Sequence, residues 1–400
     1  MGSTVKSTKQ KIFDGLFALF VFTIPFSQRL SSGALILLVG ATPFLLPIKF
    51  PRDGFRSTWD LLLFYGILVT GLIYSTDQIQ GMHVLERDLS MVGSAFVLGF
   101  FVRTIDLQRN FFYPFAAGIW VAGLLCLFNA VNGYFNGGGL QLFFFEQFTA
   151  AIDAQPAYLA YYIILAITCG LYLLYYEHAV SIPFFLATMG FLFFLLLLTG
   201  AQTTFISLQL ILGFFLLKYL LGEQGGERRL VLAIAVFMMS LIFLYTLIMR
   251  SYPEWNLIGA QNDYWERWTL WESGIHANPD MLFGIGTGDY STVLNEYYRS
   301  HNMANYAERS ANAHNQYIQT FFMNGLVGLT ALLILLVRPL YLYGRRGWPF
   351  GILVLFPFVV YGITEVFLGR YQGVVLFGLL HQMVMVKYYS DEQSLQVGGS

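Results

Sequence analysis

Repeated apolar runs, each long enough to cross a bilayer, constrain this chain more than any other feature. About 20 helical residues cover roughly 30 Å of hydrocarbon. The runs are continuous rather than alternating, which favours helices over a barrel because buried backbone amides need internal partners in lipid. We therefore predict an all-α polytopic membrane protein with about 12 transmembrane helices. The runs lie near residues 12–28, 31–48, 59–76, 84–102, 111–131, 155–176, 181–199, 203–221, 230–249, 317–338, 348–366 and 371–389.

Composition supports this prediction and excludes other classes of protein. The chain is 56% hydrophobic and 11% charged, whereas globular chains average about 45–50% apolar and 25% charged residues. Its 22 Lys and Arg residues are balanced by 23 acids, which disfavours nucleic-acid binding. Cys126 and Cys169 both lie inside apolar runs and are expected to be packing residues. The first apolar run is expected to be a retained span rather than a cleaved signal.

The positive charges predict an orientation. Most Lys and Arg residues fall on one side when both termini are placed in the cytoplasm, as the positive-inside rule requires. The short outer loops then keep only Arg29, Arg87 and Arg370. We expect a multi-pass protein of the bacterial inner membrane with its active site facing the periplasm.

Residues 250–316 form the one long segment whose composition changes character. It contains eight acids, four arginines and three of the six histidines. Four tryptophans near its start suit a stretch lying in the membrane interface, although a simple anchor explains them equally well. We predict transmembrane helices 1–9 in residues 1–249, a large periplasmic loop with short helices in 250–316, and helices 10–12 with a cytoplasmic tail in 317–400. The tryptophans are Trp255, Trp265, Trp268 and Trp271.

A glycine-rich run in this segment, residues 283–288 (FGIGTG), resembles a phosphate-binding loop only superficially. No strand precedes it, so a dinucleotide-binding motif is rejected. A tight turn is the favoured explanation, and close approach of the backbone to substrate or to the membrane rim is the alternative.

His314 is the candidate general base. It lies in the sequence Ala311–Tyr317 (ANAHNQY) at the mouth of a predicted span, and a neutral imidazole accepts a proton near pH 7. A lone histidine at a helix entrance is more often an interfacial polar residue. The pattern that follows favours catalysis, because His314–Asn315 precedes the glycine pair Gly325 and Gly328 by about ten residues.

These residues resemble the histidine motif of the O-antigen ligase superfamily, which includes O-antigen ligases, O-antigen polymerases and some protein O-oligosaccharyltransferases. Upstream, Arg267–Trp271 (RWTLW) resembles the family's loop arginine followed by tryptophan, and 278–288 resembles its proline and glycine-turn segment. The motifs cover about residues 265–330. Residues 365–373 (EVFLGRYQG) are similar to the late outer loop of Bacteroidetes-type members.

The resemblance implies a GT-C-like fold and an undecaprenyl diphosphate-linked glycan donor, with a lipid A-core or other hydroxyl as acceptor. It implies that His314 deprotonates the acceptor and that Arg267 binds the diphosphate, in an inverting transfer without metal or other cofactor. Asn315 or a nearby acid would orient the imidazole. Glu365 and Arg370 are expected either to bind substrate or to form a mutual ion pair. The substrate-binding residues expected are Gln202, Asn315, Arg370, Glu365, Gln155, Tyr158 and Trp271.

Two positions depart from the family's pattern. Gln202 stands where relatives carry an arginine, so diphosphate binding would depend more on Arg267 and Arg370. Gln155 stands where many relatives have histidine, in the stretch Gln155–Tyr158 (QPAY). Besides a ligase, the sequence leaves open a polymerase or protein O-oligosaccharyltransferase of the same superfamily, a small-solute transporter and an inert scaffold homologue.

Overall fold

The computed structural model describes residues 7–48, 51–102, 106–177, 181–221, 236–240 and 263–398, and every regular element in these ranges is helical. Two π-helical turns, Leu107–Phe112 and Leu173–Glu177, and two 3-10 turns, Leu140–Phe143 and Phe367–Gly369, adjoin the α-helices. The α-helices are α1 Thr8–Thr23, α2 Gln28–Leu45, α3 Pro51–Ile73, α4 Gln78–Phe100, α5 Tyr113–Phe135, α6 Phe145–Thr149, α7 Pro156–Tyr172, α8 Ile182–Thr199, α9 Gln202–Leu221, α10 Asp263–His276, α11 Tyr290–Ser300, α12 Ala304–Glu308, α13 Gln316–Arg345, α14 Pro349–Tyr361 and α15 Tyr371–Gly398.

Predicted spans that fall on described residues are helical, which confirms the all-α prediction. Within those residues, five helices are long and apolar enough to cross a membrane, so the number twelve stays a prediction. The run near 230–249 lies outside the described residues except for 236–240. The five are Gly54–Ile73, Leu107–Phe135, Pro156–Glu177, Ile182–Thr199 and Gln316–Arg345.

Several helices extend beyond the predicted apolar runs. α3 begins at Pro51 rather than near residue 59, and α15 continues to Gly398 rather than 389. The added turns carry charged residues such as Arg56 and Glu392. Hydropathy marks the apolar part of a helix, whereas backbone hydrogen bonding continues through polar turns, so the two boundaries differ.

Contacts divide the chain into two units that do not follow the three predicted regions. The first, called the site unit below, comprises Met1–Phe13, Leu35–Ile105 and Asn262–Ser400. The second comprises Asp14–Ala34 and Asp106–Gln261. α7 is the central helix of the second unit, because every residue from Tyr158 to Tyr172 is buried. Cys126 and Cys169 are buried and free, as expected for packing residues.

In the site unit, α4 packs on α3 and α15, and α13 packs on α3 and α14. A buried ionic cluster joins three of these helices. Asp60 Oδ2 of α3 lies 2.8 Å from Arg338 Nη1 of α13 and 3.1 Å from His381 Nε2 of α15. Asp60 and His381 are fully buried. Because a buried charge is costly without its partner, this cluster fixes the relative positions of the three helices.

α13 is broken near its centre, and the glycine-rich run docks in the break. Asn324 and Gly325 have non-helical dihedral angles, with φ of −129° and +59°. The segment 281–286 supplies partners for the backbone groups that the break releases. Four hydrogen bonds join the two segments: Ile285 N to Phe322 O (3.1 Å), Gly286 N to Met323 O (2.9 Å), Leu326 N to Met281 O (2.9 Å) and Val327 N to Leu282 O (3.2 Å).

The glycines at this junction permit a close approach of two backbones. A Cβ atom on Gly284 would lie 2.6 Å from Gly325 N, and a Cβ on Gly325 would overlap the Leu282 carbonyl. Both glycines have positive φ, at 73° and 59°. The structure therefore supports the interpretation of the glycine-rich run as a tight turn. The backbone that it approaches closely is the break in α13.

The same loop is anchored to the turn between α3 and α4. Thr287 Oγ1 donates to Leu68 O at 2.8 Å. The Asp289 carboxylate accepts from Thr76 N at 2.8 Å and from Asp77 N at 2.6 Å. Residues 281–289 of the polar segment are therefore bound to the helices of the site unit.

We expect Gly325→Ala to destabilise the protein strongly. The side chain would be forced into the left-handed region and against the Leu282 backbone, at a cost of at least about 2 kcal/mol. The matched control is Gly344→Ala, in the same helix with nothing within 4 Å of the new Cβ. Unfolding in mixed micelles should separate the two variants, and equal stabilities would contradict the docked break.

Candidate active site

Three side chains from three separate segments meet in the site unit. Glu365 Oε2 lies 3.3 Å from His314 Nδ1, and Glu365 Oε1 lies 3.6 Å from Arg267 Nη2. The side chains of Arg267, Glu365 and His314 are 24%, 22% and 40% exposed. They are thus partly shielded and still accessible to a ligand. We refer to these three residues as the bridged triad.

Arg267 is held by α10, which packs on α13. Gly274 of α10 lies against Ile318, where a Cβ would approach to 2.9 Å. Leu270 joins a buried cluster with Tyr298 and Phe322. The Arg267 guanidinium also donates to the Thr364 carbonyl, beside Glu365. Two contacts with the same loop therefore fix the direction of this side chain.

His314 occupies a strained backbone position immediately before α13. Its φ is +43°, in the left-handed region that non-glycine residues rarely adopt. The His314 N–H donates to Asn312 Oδ1 at 2.8 Å, which supports this conformation. Such strain costs on the order of 1–3 kcal/mol and is found mainly where the surrounding structure enforces it.

Asn315 caps α13 and does not contact the imidazole in the described structure. Its Oδ1 accepts from Tyr317 N at 2.9 Å and Ile318 N at 3.0 Å, as an N-cap residue does. Its Nδ2 donates to Ile363 O at 3.0 Å. From the sequence we expected either Asn315 or a nearby acid to orient the imidazole. The acid, Glu365, contacts His314. Asn315 instead binds the loop that carries Glu365.

The loop with Glu365 is fastened to the first turn of α13. Gln316 N donates to Gly362 O at 2.8 Å. Gln316 Oε1 accepts from Leu368 N at 2.8 Å. Backbone contacts before and after Glu365 therefore set the carboxylate beside His314, which is two residues from Gln316.

Arg370 and Trp271 have different surroundings. Arg370 is exposed, and among the described residues it forms no ion pair with Glu365, so their predicted mutual pair is wrong. Glu365 contacts Arg267 and His314 instead.

Trp271 lies one helical turn after Arg267, and its Nε1 is shielded from solvent without a hydrogen-bond partner in the described ranges. Its ring centroid lies 6.4 Å from that of exposed Trp268.

The remaining predicted residues belong to the second unit. Gln155 is the N-cap residue of α7, and Tyr158 is buried in its first turn. Gln202 begins α9. Their part in a common site with the bridged triad stays a prediction. Trp255 lies outside the described residues.

Arg87 is a residue of this region that sequence reasoning missed. Its Nη1 donates to Gly369 O at 2.8 Å, and its Nε lies 2.8 Å from Asp88 Oδ1. The count of positive charges places Arg87 in a short outer loop and assigns it no further role. A charge at the edge of a predicted span is itself a functional signal, and this signal was available in the sequence.

The electrostatics of the site suit a polar ligand. Glu365 lies 3.6 Å from Arg267 and partly balances its charge. The guanidinium is partly exposed, so it keeps some capacity to attract an anion.

Burial raises the pKa of the Tyr298 hydroxyl, which therefore stays protonated and donates to Ala311 O at 3.3 Å. No cluster of three His, Cys, Asp or Glu side chains suited to a metal ion occurs in the part of the chain that the structure describes.

Comparison with known proteins points to one family over part of the chain. Residues 187–333 match the family model described as O-antigen ligase. This match supports membership of the O-antigen ligase superfamily. A Haemophilus influenzae protein named "Uncharacterized protein" is 25% identical over 161 residues, which are 36% of this chain and 39% of that relative.

The O-antigen ligase match includes Arg267 and His314 and ends before Glu365. Together with the apolar helices, it supports a helical membrane protein similar to proteins of the O-antigen ligase family. Glu365, which contacts the other two residues of the bridged triad, lies beyond the matched segment.

A double-mutant cycle should detect the bridge. Glu365→Gln and Arg267→Gln should be non-additive in the free energy of unfolding, with a coupling of about 0.5–1 kcal/mol for a partly exposed pair. Glu272→Gln is the control, because this exposed acid of α10 lies outside the bridged triad. Additive effects for Glu365 and Arg267, measured in mixed micelles, would argue against the ion pair.

Proposed function

We propose that the protein is a metal-independent glycosyltransferase that moves a glycan from undecaprenyl diphosphate to an acceptor hydroxyl, with the lipid A-core as acceptor. It would act at the periplasmic face of the inner membrane, with both termini cytoplasmic. The observation that carries this proposal is the bridged triad, in which an imidazole and a guanidinium share one carboxylate within 3.6 Å.

Arg267 would bind the diphosphate of the donor. Its planar guanidinium donates to two phosphate oxygens at once and stays charged at any physiological pH. At 3.6 Å its contact with Glu365 is loose, so a dianion competes for it effectively. As the glycosidic bond breaks, negative charge grows on the departing diphosphate, and Arg267 stabilises that charge.

His314 would act as the general base. Its Nδ1 lies 3.3 Å from Glu365 Oε2 without hydrogen-bond geometry and is shielded from solvent, while the side chain as a whole is 40% exposed. Nε2 is therefore the nitrogen we assign to the acceptor. The acceptor oxygen attacks the anomeric carbon, its proton passes to Nε2, and the bond from that carbon to the diphosphate oxygen breaks. Attack opposite the leaving group inverts the anomeric configuration.

Glu365 would hold the imidazole in the tautomer this step requires. A carboxylate beside Nδ1 favours a proton on that nitrogen and leaves Nε2 free to accept. It also stabilises the imidazolium formed when the acceptor proton is transferred. The same chemistry serves a polymerase or a protein O-oligosaccharyltransferase, which differ in the molecule that carries the acceptor hydroxyl.

Glycan transfer by purified protein tests the proposal. With a lipid-diphosphate glycan and lipid A-core, His314→Ala should lower the transfer rate about 10²–10⁴-fold, and Arg267→Ala about 10²–10³-fold. The controls are His301→Ala and Arg309→Ala, because both residues are exposed in the same segment and lie outside the bridged triad.

If the His314→Ala variant transferred glycan at the wild-type rate, His314 would not be the general base. A complete absence of transfer with every acceptor, including repeat units and peptides with hydroxyl side chains, would instead favour a transporter or an inert homologue.

A further inference from the structure

The glycine-rich segment exposes three consecutive apolar side chains. Met281, Leu282 and Phe283 are 66%, 50% and 52% exposed. One exposed apolar residue is ordinary, whereas three large ones in succession form a patch that usually has a partner. The proposed reaction does not use them, because the bridged triad lies elsewhere in the site unit. We call residues 281–283 the apolar tip.

The apolar tip is the turning point of a loop that runs along α13 and then returns. Four hydrogen bonds trace this path: Asn278 Nδ2 to Phe321 O (3.2 Å), Leu326 N to Met281 O (2.9 Å), Val327 N to Leu282 O (3.2 Å) and Ile285 N to Phe322 O (3.1 Å). The partners on α13 advance from residue 321 to residue 327 and then go back to residue 322. The tip is therefore the part of this loop that reaches furthest along the helix.

The backbone of the tip is hydrogen-bonded within the protein. The Asp280 carboxylate accepts from Leu282 N at 2.8 Å and from Phe283 N at 3.1 Å. The Phe283 carbonyl accepts from the Tyr74 hydroxyl at 2.6 Å, and the carbonyls of the other two tip residues accept from α13. An unpaired backbone group is costly in hydrocarbon, so contact with lipid requires such partners. The tip meets this requirement and presents apolar side chains outward.

The break in α13 marks the level at which this helix first faces outward. Side chains of residues 316–325 are buried or half-buried, whereas Leu326 and Val327 are exposed. From Leu326 to its end at Arg345, the helix is about 30 Å long at 1.5 Å per residue. This length equals the hydrocarbon thickness of a typical bilayer. The match favours a hydrocarbon boundary at the break, where the tip docks.

The end of α3 gives the same level independently. The candidate span in α3 ends at Ile73, and Tyr74, whose hydroxyl binds Phe283 O, follows it directly. Tyrosine is enriched where hydrocarbon meets the headgroups. Ile73 is exposed beside it. The tip is therefore continuous with the outward-facing end of a membrane span, which favours acyl chains as its neighbour.

We propose that the apolar tip inserts into the bilayer at the boundary between headgroups and hydrocarbon, and that membrane acyl chains cover it. The exposed Asp280 carboxylate limits the insertion, because hydrocarbon excludes a charge. Only the side chains of the tip then lie among acyl chains, at the depth of about 5–10 Å that interfacial segments reach. Because the loop around the tip docks on α13, this contact ties the polar segment with Arg267 and His314 to the membrane surface.

Spin labels on the full chain test the insertion. Met281→Cys and Leu282→Cys are labelled separately in nanodiscs of phosphatidylethanolamine and phosphatidylglycerol, which contain no polyprenyl lipid. Power saturation then measures how often each label collides with oxygen and with a polar nickel chelate. Wild type is the blank, because Cys126 and Cys169 are both buried and should take up no label.

Two exposed positions calibrate the measurement. Leu333→Cys, on α13 beyond the break, is the lipid reference, and Ser300→Cys, at the end of α11, is the water reference. Both tip labels should collide with the nickel chelate at least about fivefold less often than the label of Ser300→Cys, because polar groups enter an apolar medium unfavourably. Their oxygen collisions should match those of Leu333→Cys.

Two results would overturn the insertion. Nickel collisions equal to those of Ser300→Cys would show that water surrounds the tip. Infrequent collisions with both reagents would show that protein covers it, as in an association of two copies of this chain.

Unaltered protein gives a second test that does not depend on the folding of a variant. A phosphatidylglycerol with a diazirine in its acyl chain is added to the nanodiscs and irradiated, and mass spectrometry locates the adducts. Adducts on residues 281–283, with residues 296–302 unlabelled, would support the insertion. Adducts on the exposed side chains Leu326 and Leu333 of α13 without any on the tip would overturn it.

Discussion

The contact of one carboxylate with both a guanidinium and an imidazole is the constraint on which the rest of this structure depends. Arg267 and His314 lie on different segments, and Glu365 comes from a third. The backbone around all three is arranged to hold the carboxylate between them: Asn315 and Gln316 fasten the loop, and Arg267 donates to Thr364 in that loop. The positive φ of His314 is part of the same arrangement. The proposed departure of a diphosphate and abstraction of a proton require a loosely paired arginine next to a histidine.

The scaffold beneath the site relies on a broken helix. A continuous α13 would have no free backbone groups to receive the segment 281–286, and the loop would lack its anchor. The break therefore has two consequences. It docks the polar segment that carries α10 and α11, and it places Asn324 among the residues that line a cavity together with Arg87 and Asp88.

The sequence predicts the helical fold well, because apolar runs and helix length are local properties. It also indicates Arg267 and His314, through motifs that lie within about 60 residues of each other. It does not reveal that Glu365 contacts both, since ion pairs between residues about 50 and 100 positions apart in the chain leave no local signal.

The N-cap role of Asn315 could have been predicted from the sequence, because an Asn directly before an apolar helical run is a common N-cap residue. The role of Arg87 was missed because a hydropathy average counts a charged residue only as a reduction in the apolarity of a span. Gln155, Tyr158 and Gln202 were assigned by resemblance, and their participation stays a prediction.

Binding of the lipid diphosphate itself tests the central claim most directly. Titration of undecaprenyl diphosphate into protein in nanodiscs should give a dissociation constant at least about tenfold weaker for Arg267→Gln, since a charge-assisted phosphate contact contributes roughly 1.5–3 kcal/mol. Glu365→Gln should bind no more weakly than wild type, because the substitution frees Arg267 from its competing carboxylate. Wild-type affinity in Arg267→Gln, or a large loss of affinity in Glu365→Gln, would contradict the account.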